Sequence, residues 1–190
     1  GTNVVESNFI SGNQGQYGGG LAVDEETTAT LRGNMLIDNT ATSGGGAVYC
    51  RACTLILERN WLTGNMAGTY GNALHIQWLN WAIYGIPQTE SVITNNIFYD
   101  DETDSTPTVT IHSSQAVMTH NTLIRNPLAV IGVGVWVENT LTDLPARLVM
   151  TNNIVGGHAE GVRLVSGSAS TEGTLWGTGD WDNTTDWTGA

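Results

Sequence analysis

The sequence predicts an all-β fold, a parallel β-helix solenoid of about six to seven coils. Three observations predict it. A ten-residue segment with Asn near its centre recurs six times, a second apolar segment follows each copy, and no helical period lies between them. Units of this kind stack at about 4.8 Å, so that equivalent residues lie over one another.

The six copies of the first segment align without a gap. Their central Asn residues are separated by 26, 26, 36, 25 and 32 residues, and the positions three before and two after are apolar in every copy. Asn at a sharp corner tolerates left-handed backbone geometry, and stacked Asn side chains can hydrogen-bond as a ladder. The predicted ladder is Asn8, Asn34, Asn60, Asn96, Asn121 and Asn153.

The second segment is aligned by its glycines, "GGGLAV" at 18–23 over "GGGAVY" at 44–49. Alternation then predicts two inward columns. They are Leu21, Ala47, Ala73, Val109, Val135 and Val162, and Val23, Tyr49, His75, Ile111, Val137 and Leu164. His75 is accordingly predicted to be a core histidine.

The intervening positions are predicted to face outward. They are Ala22, Val48, Leu74, Thr110, Trp136 and Arg163, and beside them Asp24, Cys50, Ile76, His112, Glu138 and Val165. This face is apolar in its first three copies, so we expect another segment or another chain to cover it.

Composition and length indicate one domain. The chain has 190 residues, of which 24 are glycine and 13% are charged, which suits short strands joined by turns. We expect a single β-helix domain over 1–190, with regular coils over 3–165. Residues 166–190 are predicted to form a degenerate last coil or a cap, with Trp176, Trp181 and Trp187 over the end of the core.

The charge excludes one class of partner. The formal net charge is −12, and all six cationic residues are arginines, so a nucleic-acid backbone would be repelled. No apolar run approaches the roughly 20 residues of a membrane span. The acidity fits an extracellular protein. Because the chain shows neither an initiator Met nor a signal peptide, we expect it to be a piece of a longer protein.

Cys50 and Cys53 form one C-x-x-C motif. The further ligands that a zinc site needs are missing, and no βαβ context supports a thioredoxin-like role. A local disulfide across a turn and a pair of half-buried thiols both remain open.

One acidic turn offers hard oxygen ligands. Asp100, Asp101 and Asp104 are candidate Ca²⁺ ligands, with a solvated acidic turn as the alternative. No other metal or cofactor is expected.

Two groups of residues are candidates for a ligand or partner patch. The spacing of 36 leaves extra residues at 77–90, where Trp78, Trp81 and Tyr84 could stack on sugar rings or on a partner, or fold over the solenoid as a lid. The second group, on neighbouring coils, combines an aromatic ring with charges as a saccharide site would, or is an ordinary mixed surface. It comprises His112, Trp136, Glu138 and Arg163.

The repeats resemble those of a known class of surface protein. "GGGL" and "GGGA", with Ile10-x-x-Asn13, Leu36-x-x-Asn39, Leu62-x-x-Asn65 and Leu123-x-x-Asn126, are similar to the GGA[I/L/V] and FxxN repeats of polymorphic outer-membrane autotransporter passengers. More broadly, they resemble right-handed β-helices of the pectin-lyase-like kind. The resemblance implies a right-handed, single-stranded helix that is extracellular or at the cell surface.

These observations favour an extracellular structural or adhesive scaffold. Its expected partners are other protein chains, in a homo-oligomer or filament, or a surface glycan. The alternative is a glycan-binding module or a polysaccharide lyase or hydrolase. Lyases that resemble this fold use Arg or Lys with Ca²⁺, whereas this chain has no Lys, and the side chains of adjacent Asp100 and Asp101 diverge. The sequence therefore leans against an enzyme without deciding the point.

Overall fold

The computed structural model describes residues 2–78, 87–100, 104–126, 131–141, 144–178 and 182–189. These residues form 24 strands, and no helix occurs among them. The strands make three long sheets and one short sheet, all of them parallel.

Each long sheet contains seven strands. The first is β1 (Thr2–Glu6), β5 (Thr28–Arg32), β9 (Thr54–Glu58), β13 (Glu90–Thr94), β16 (Gln115–Thr119), β19 (Arg147–Thr151) and β22 (Ser168–Glu172). The second is β2 (Phe9–Ser11), β6 (Met35–Ile37), β10 (Trp61–Thr63), β14 (Ile97–Asp100), β17 (Thr122–Arg125), β20 (Ile154–Gly156) and β23 (Leu175–Trp176).

The third long sheet lies next along each coil. It is β4 (Leu21–Val23), β8 (Val48–Arg51), β12 (Leu74–Gln77), β15 (Val109–His112), β18 (Val133–Glu138), β21 (Glu160–Leu164) and β24 (Thr185–Thr188). The short sheet joins the second and third sheets in the first three coils, with β3 (Gln14–Tyr17), β7 (Thr40–Gly44) and β11 (Met66–Ala67).

The predicted parallel β-helix is confirmed. Every coil adds one strand to each long sheet, which gives seven coils. The last, β22 to β24, pairs in parallel with the sixth. Inside, equivalent apolar residues stack directly; Leu31, Leu57 and Ile93, for example, are consecutive register partners and fully buried.

A column of buried amides runs along the corner between the first and second sheets. Asn34 Nδ2 donates to Asn60 Oδ1 (2.9 Å), and the same oxygen accepts the backbone N–H of Asn34 (2.9 Å). Asn60 repeats both bonds to Asn96. The second amide N–H of Asn60 donates to the carbonyl of Leu31 in the preceding coil (2.8 Å). The buried amides of Asn34, Asn60, Asn96 and Asn121 therefore have partners on both sides of their own coil.

The residue that takes the left-handed conformation at this corner is not the predicted one. The left-handed residue is the one before each Asn, namely Ser7, Gly33, Arg59, Asn95, His120 and Asn152, with φ between 54° and 61°. The ladder Asn was expected to take this conformation, and that was wrong. Because the preceding residue makes the turn, the Asn side chain stays inside and points along the stack. A second ladder links Asn13, Asn39 and Asn65 in the first three coils.

The predicted register of the third sheet was wrong by one residue in the second and third coils. Leu21 pairs with Val48, not Ala47, and Val48 pairs with Leu74. The chain takes eight residues from Asn13 to Leu21 but nine from Asn39 to Val48. The register shift between Gly15 and Tyr17 of β3 absorbs this difference.

A one-residue slip exchanges the two faces of a strand. Val48, Cys50, Leu74 and Ile76 therefore lie in the core rather than on the outer face. Tyr49 and His75 point outward. The expected apolar outer face of the first three coils does not exist on this sheet.

Replacing a buried ladder residue should destabilise the fold strongly. In Asn60→Ala, the backbone N–H and side-chain amide of Asn34 and the carbonyl of Leu31 lose their partners, so we expect a loss of about 2 to 4 kcal/mol in the free energy of unfolding. Asn8→Ala, at the exposed first coil, is the control and should cost less than about 1 kcal/mol. Chemical denaturation measures both losses. Equal losses in the free energy of unfolding for the two variants would contradict a ladder whose contribution depends on the burial of its amides.

Two glycines of similar backbone conformation distinguish the cost of left-handed backbone strain from the cost of a steric clash at Cβ. At Gly71 (φ 63°) an added Cβ would lie 2.1 Å from the carbonyl oxygen of Leu74, whereas at Gly12 (φ 66°) nothing lies within 4 Å. We expect Gly12→Ala to cost about 1 kcal/mol, for the left-handed conformation alone, and Gly71→Ala about 3 kcal/mol or more. Thermal and denaturant unfolding measure both, and similar losses would show that the close approach is unimportant.

Candidate functional site

The outer face of the third sheet carries a polar and aromatic strip. We call these two outward columns the polar face; they are Ala22, Tyr49, His75, Thr110, Trp136 and Arg163, and Asp24, Arg51, Gln77, His112 and Glu138.

An aromatic row crosses the polar face at its second to fourth coils. The rings of Tyr17 and Tyr49 stack with centroids 4.7 Å apart, and Tyr49 contacts His75 at 5.2 Å. Tyr70 packs on His75 and His112, at 5.2 and 4.6 Å. Gly44 makes room for this row, because a Cβ there would lie 2.4 Å from His75 Nδ1.

A cleft of about 410 Å³ opens at the first coils of the polar face. Asp24 accepts two hydrogen bonds from Arg51, one from Nε at 2.6 Å. The Tyr49 hydroxyl donates to Gln77 Oε1 (3.0 Å). Hydrogen bonding to Arg51 lowers the pKa of Asp24, and burial raises the pKa of Tyr49 to about 12. At neutral pH the cleft therefore offers an ion pair, a neutral phenol and an amide beside the Tyr17 ring.

Two buried histidines lie deeper on the same face. His75 Nε2 and His112 Nδ1 are 3.2 Å apart, so one ring donates and the other accepts. His112 Nε2 lies 3.7 Å from Glu138 Oε2. Burial lowers the pKa of His75 to about 3, with the His112 charge as a smaller cause, and burial lowers the pKa of His112 to about 4. Both rings are neutral at pH 7. The expectation that His75 lies in an inward column was wrong, although the residue is buried.

The structure brings together the four residues of the predicted saccharide site as two register pairs. His112 is opposite Glu138, and Trp136 is opposite Arg163. The guanidinium of Arg163 lies 5.3 Å from the centre of the Trp136 ring and also pairs with Glu160. His112 is 2% exposed. A buried imidazole and an indole that contacts a guanidinium leave little free aromatic surface for a sugar ring here.

For Trp78 the sequence left two alternatives open, an aromatic face for a ligand and a lid over the solenoid. Trp78 is 2% exposed and packs in a small cluster with Ala52 and Leu144, which fits the lid. Its ring is therefore part of a second core outside the solenoid. Trp81 and Tyr84, predicted for the same patch, lie outside the described residues.

The acidic turn proposed for Ca²⁺ faces a cation of the chain itself. Arg125 is fully buried, with Nη1 3.2 Å from Asp100 Oδ2 and Nη2 3.4 Å from Asp104 Oδ1. The Thr108 hydroxyl donates to Asp100 Oδ2 (2.7 Å). The carboxylates of Asp100 and Asp104 therefore pair with a buried guanidinium in this structure, and their role as calcium ligands stays a prediction. Asp101 lies outside the described residues.

No cluster of three or more His, Cys, Asp or Glu side chains suited to a metal ion occurs in the described parts of the chain. Cys50 and Cys53 are joined by a disulfide across the turn between β8 and β9.

A second surface, on the outer face of the second sheet, was not identified from the sequence. The residue directly after each ladder position points outward, and the pairing continues into the seventh coil. We call this set the apolar column; it is Phe9, Met35, Trp61, Ile97, Thr122, Ile154 and Leu175.

The apolar column is exposed over the whole length of the solenoid. Its large side chains are between 39% and 67% exposed. At the later coils it borders an apolar groove of about 460 Å³, lined by Ile97, Tyr99, Ile124, Ile154, Leu175 and Trp176, among others. The signal in the sequence was an apolar residue immediately after five of the six repeat Asn residues.

Comparison with protein-family models, with curated proteins and with solved structures gives no significant match. Among the described residues there is no helix long and apolar enough to cross a membrane.

The buried histidines should make stability depend on pH. A histidine in the unfolded chain has a pKa near 6.5. Burial in the folded chain lowers the pKa to about 3 for His75 and for the fully buried His158, and to about 4 for His112. Stability is therefore full above pH 6.5 and falls as the pH drops toward 4, by roughly 1 kcal/mol per pH unit for each histidine.

Denaturant titrations at pH 7, 6 and 5 measure this slope. His112→Gln should reduce it by about a third, since one of three buried histidines is removed. His120→Gln, at an exposed position, is the matched control and should leave it unchanged. A wild-type stability that is flat over this range would contradict neutral burial of the three rings.

Proposed function

We propose that this chain is an extracellular structural or adhesive β-helix scaffold that binds other protein chains along its apolar column. The observation that carries the proposal is the exposed column itself, which continues through all seven coils. Contiguous exposed apolar surface on a soluble protein marks an interaction site. A partner that covered the column would remove its side chains from water.

The interior supports the scaffold role. Amide ladders and stacked apolar columns hold successive coils in register, so the outward side chains are presented at a fixed spacing of about 4.8 Å. A rigid surface loses little conformational entropy when it binds. The proposed partner is a protein rather than a glycan because the column has no charged group and only one hydroxyl side chain, that of Thr122.

Several features support an extracellular or cell-surface location. The Cys50–Cys53 disulfide is of a kind that persists in oxidising compartments, and the net charge of −12 favours solubility outside the cell. The similarity to autotransporter passenger and pectin-lyase-like repeats agrees with this location.

A second candidate function is saccharide binding in the cleft of the polar face. Its support is the exposed Tyr17 ring beside the Asp24–Arg51 pair and Gln77, since aromatic stacking combined with polar groups suits sugar rings. Lyase or hydrolase chemistry has less support: Arg51 is paired with Asp24, and the histidines are neutral and buried.

Bead retention under shear flow tests both candidates. Beads carrying the chain are flowed over surfaces coated with protein or with polysaccharide. Phe9→Ser combined with Trp61→Ser should lower retention on protein surfaces about tenfold, because the two largest anchors of the column are lost. Met66→Ser is the control, since Met66 is similarly exposed (40%) but lies outside the column.

Tyr17→Ser separates the candidates. It should leave retention on protein surfaces unchanged, and it lowers retention on polysaccharide only if the cleft binds saccharides. Retention restricted to polysaccharide and lost in Tyr17→Ser would contradict the scaffold proposal and favour the second candidate.

A further inference from the structure

We infer that the apolar column is the interface of a homodimer in which two copies meet face to face with their solenoid axes antiparallel. The inference rests on the proposed function and names the partner as a second copy of this chain. The two-fold axis would lie between the copies, parallel to the strands, at the level of the fourth coil.

The order of side-chain sizes along the column carries the inference. An axis at the fourth coil places coil one opposite coil seven, two opposite six, and three opposite five. The facing pairs are then Phe9 with Leu175, Met35 with Ile154, Trp61 with Thr122, and Ile97 with itself. The largest side chain of the column thus faces the smallest.

The surroundings of Thr122 have room for that large side chain. Thr122 pairs with Ile97 on one side and Ile154 on the other, and both line the apolar groove of about 460 Å³. Ile124 and Tyr99 also line it. The groove extends from the fourth coil to the seventh, so a protruding indole at the third coil of one copy would face the fifth coil of the other within the span of this groove.

The other face-to-face two-fold axis runs along the solenoid and places every coil opposite itself. Trp61 would then face Trp61, and Thr122 would face Thr122. Two indoles would compete for the same space while a gap remained at the fifth coil, and well-packed interfaces avoid both faults. The size order therefore favours the antiparallel pairing.

The absence of charge on the outer face of the second sheet is compatible with a second copy of the chain as the partner. The outward positions beside the column are Ser11, Ile37, Thr63, Tyr99, Ile124 and Gly156, so this face of the second sheet has no carboxylate or guanidinium. Two chains of net charge −12 repel each other over most of their surfaces. The uncharged face lets them meet without placing like charges in direct contact.

The size of the face predicts a weak dimer. Seven coils separated by six intervals of about 4.8 Å, and three residues at about 3.3 Å, give a face of roughly 29 by 10 Å. This is well below the roughly 800 Å² per partner of a standard stable complex. Association should therefore be weaker than micromolar and strengthen when salt screens the net charge.

Crosslinking of single-cysteine variants tests the pairing. The two native cysteines are joined in a disulfide, so an added Cys is a free thiol. Facing sheets lie about 10 Å apart, so a short bis-maleimide is a better probe than a direct disulfide.

Ile97→Cys should crosslink to itself, since it lies at the axis. Phe9→Cys alone should not, because its two copies would be about 29 Å apart. An equimolar mixture of Phe9→Cys and Leu175→Cys should crosslink.

Sedimentation of size-swapped variants supplies a second test. Trp61→Thr and Thr122→Trp should each weaken association about tenfold, by loss of the anchor or by collision of two indoles. The double variant exchanges the two sizes and should recover association to within about threefold of wild type. Met66→Ser should associate like wild type, and circular dichroism checks that each variant is folded.

The outcomes separate the two proposals. Self-crosslinking of Phe9→Cys, or a double variant weaker than either single variant, would overturn the antiparallel pairing while leaving the column as a binding surface. A monomer at roughly 1 mM with no crosslinks would overturn the homodimer altogether. Retention of beads on surfaces of other proteins then decides the scaffold proposal by itself.

Discussion

The structure depends on the hydrogen bonds between side-chain amides of successive coils. In the second to fifth coils, a side-chain amide at the corner donates to the next amide in the stack and to a carbonyl of the preceding coil, as Asn96 does to Asn121 Oδ1 and to the carbonyl of Leu57. A coil shifted by one residue would leave these buried groups without partners, at a cost of about 1 to 3 kcal/mol each. The ladder therefore sets the register of the first and second sheets, whose shared corner it occupies.

Each outer surface is a consequence of the register of its own sheet. On the second sheet, the residue after each of the six ladder Asn residues must point outward, and in this chain five of these residues are apolar. The seventh coil adds Leu175 to the same column. On the third sheet, the outward positions carry aromatic and ionisable groups that stack into one row and one cleft. The chain thus presents an apolar surface and a polar surface on different sheets of one rod.

Much of the fold could be predicted from the sequence, because a solenoid repeats its geometry. The ladder positions and the apolar positions around them recur without gaps, so their stacking follows directly. The third sheet could not be placed in the same way. Identical glycine triplets suggested one alignment, but the extra residue before Val48 and the register shift in β3 are visible only in three dimensions. The one-residue error in the predicted alignment placed Tyr49 and His75 on the inner face of the sheet, whereas they lie on its outer face.

The surfaces were harder to predict than the core. Tyr17 and Tyr70 lie on different coils, and their contacts with Tyr49, His75 and His112 depend on how the short sheet ends. Asp100 and Arg125 are 25 residues apart, about one coil, and this spacing could have indicated the ion pair between them. The apolar column was visible as residue types, but the sequence alone does not distinguish an exposed apolar position from a covered one.

Two methionines allow a direct test of whether the apolar column binds another chain. Met35 lies in the column and Met66 outside it, and they are 39% and 40% exposed. Oxidative footprinting of the intact chain should therefore modify both at similar rates in dilute solution. At concentrations where the protein associates, Met35 should be protected from oxidation and Met66 should not. Equal rates at Met35 and Met66 in the associated state would show that this column is not the contact surface.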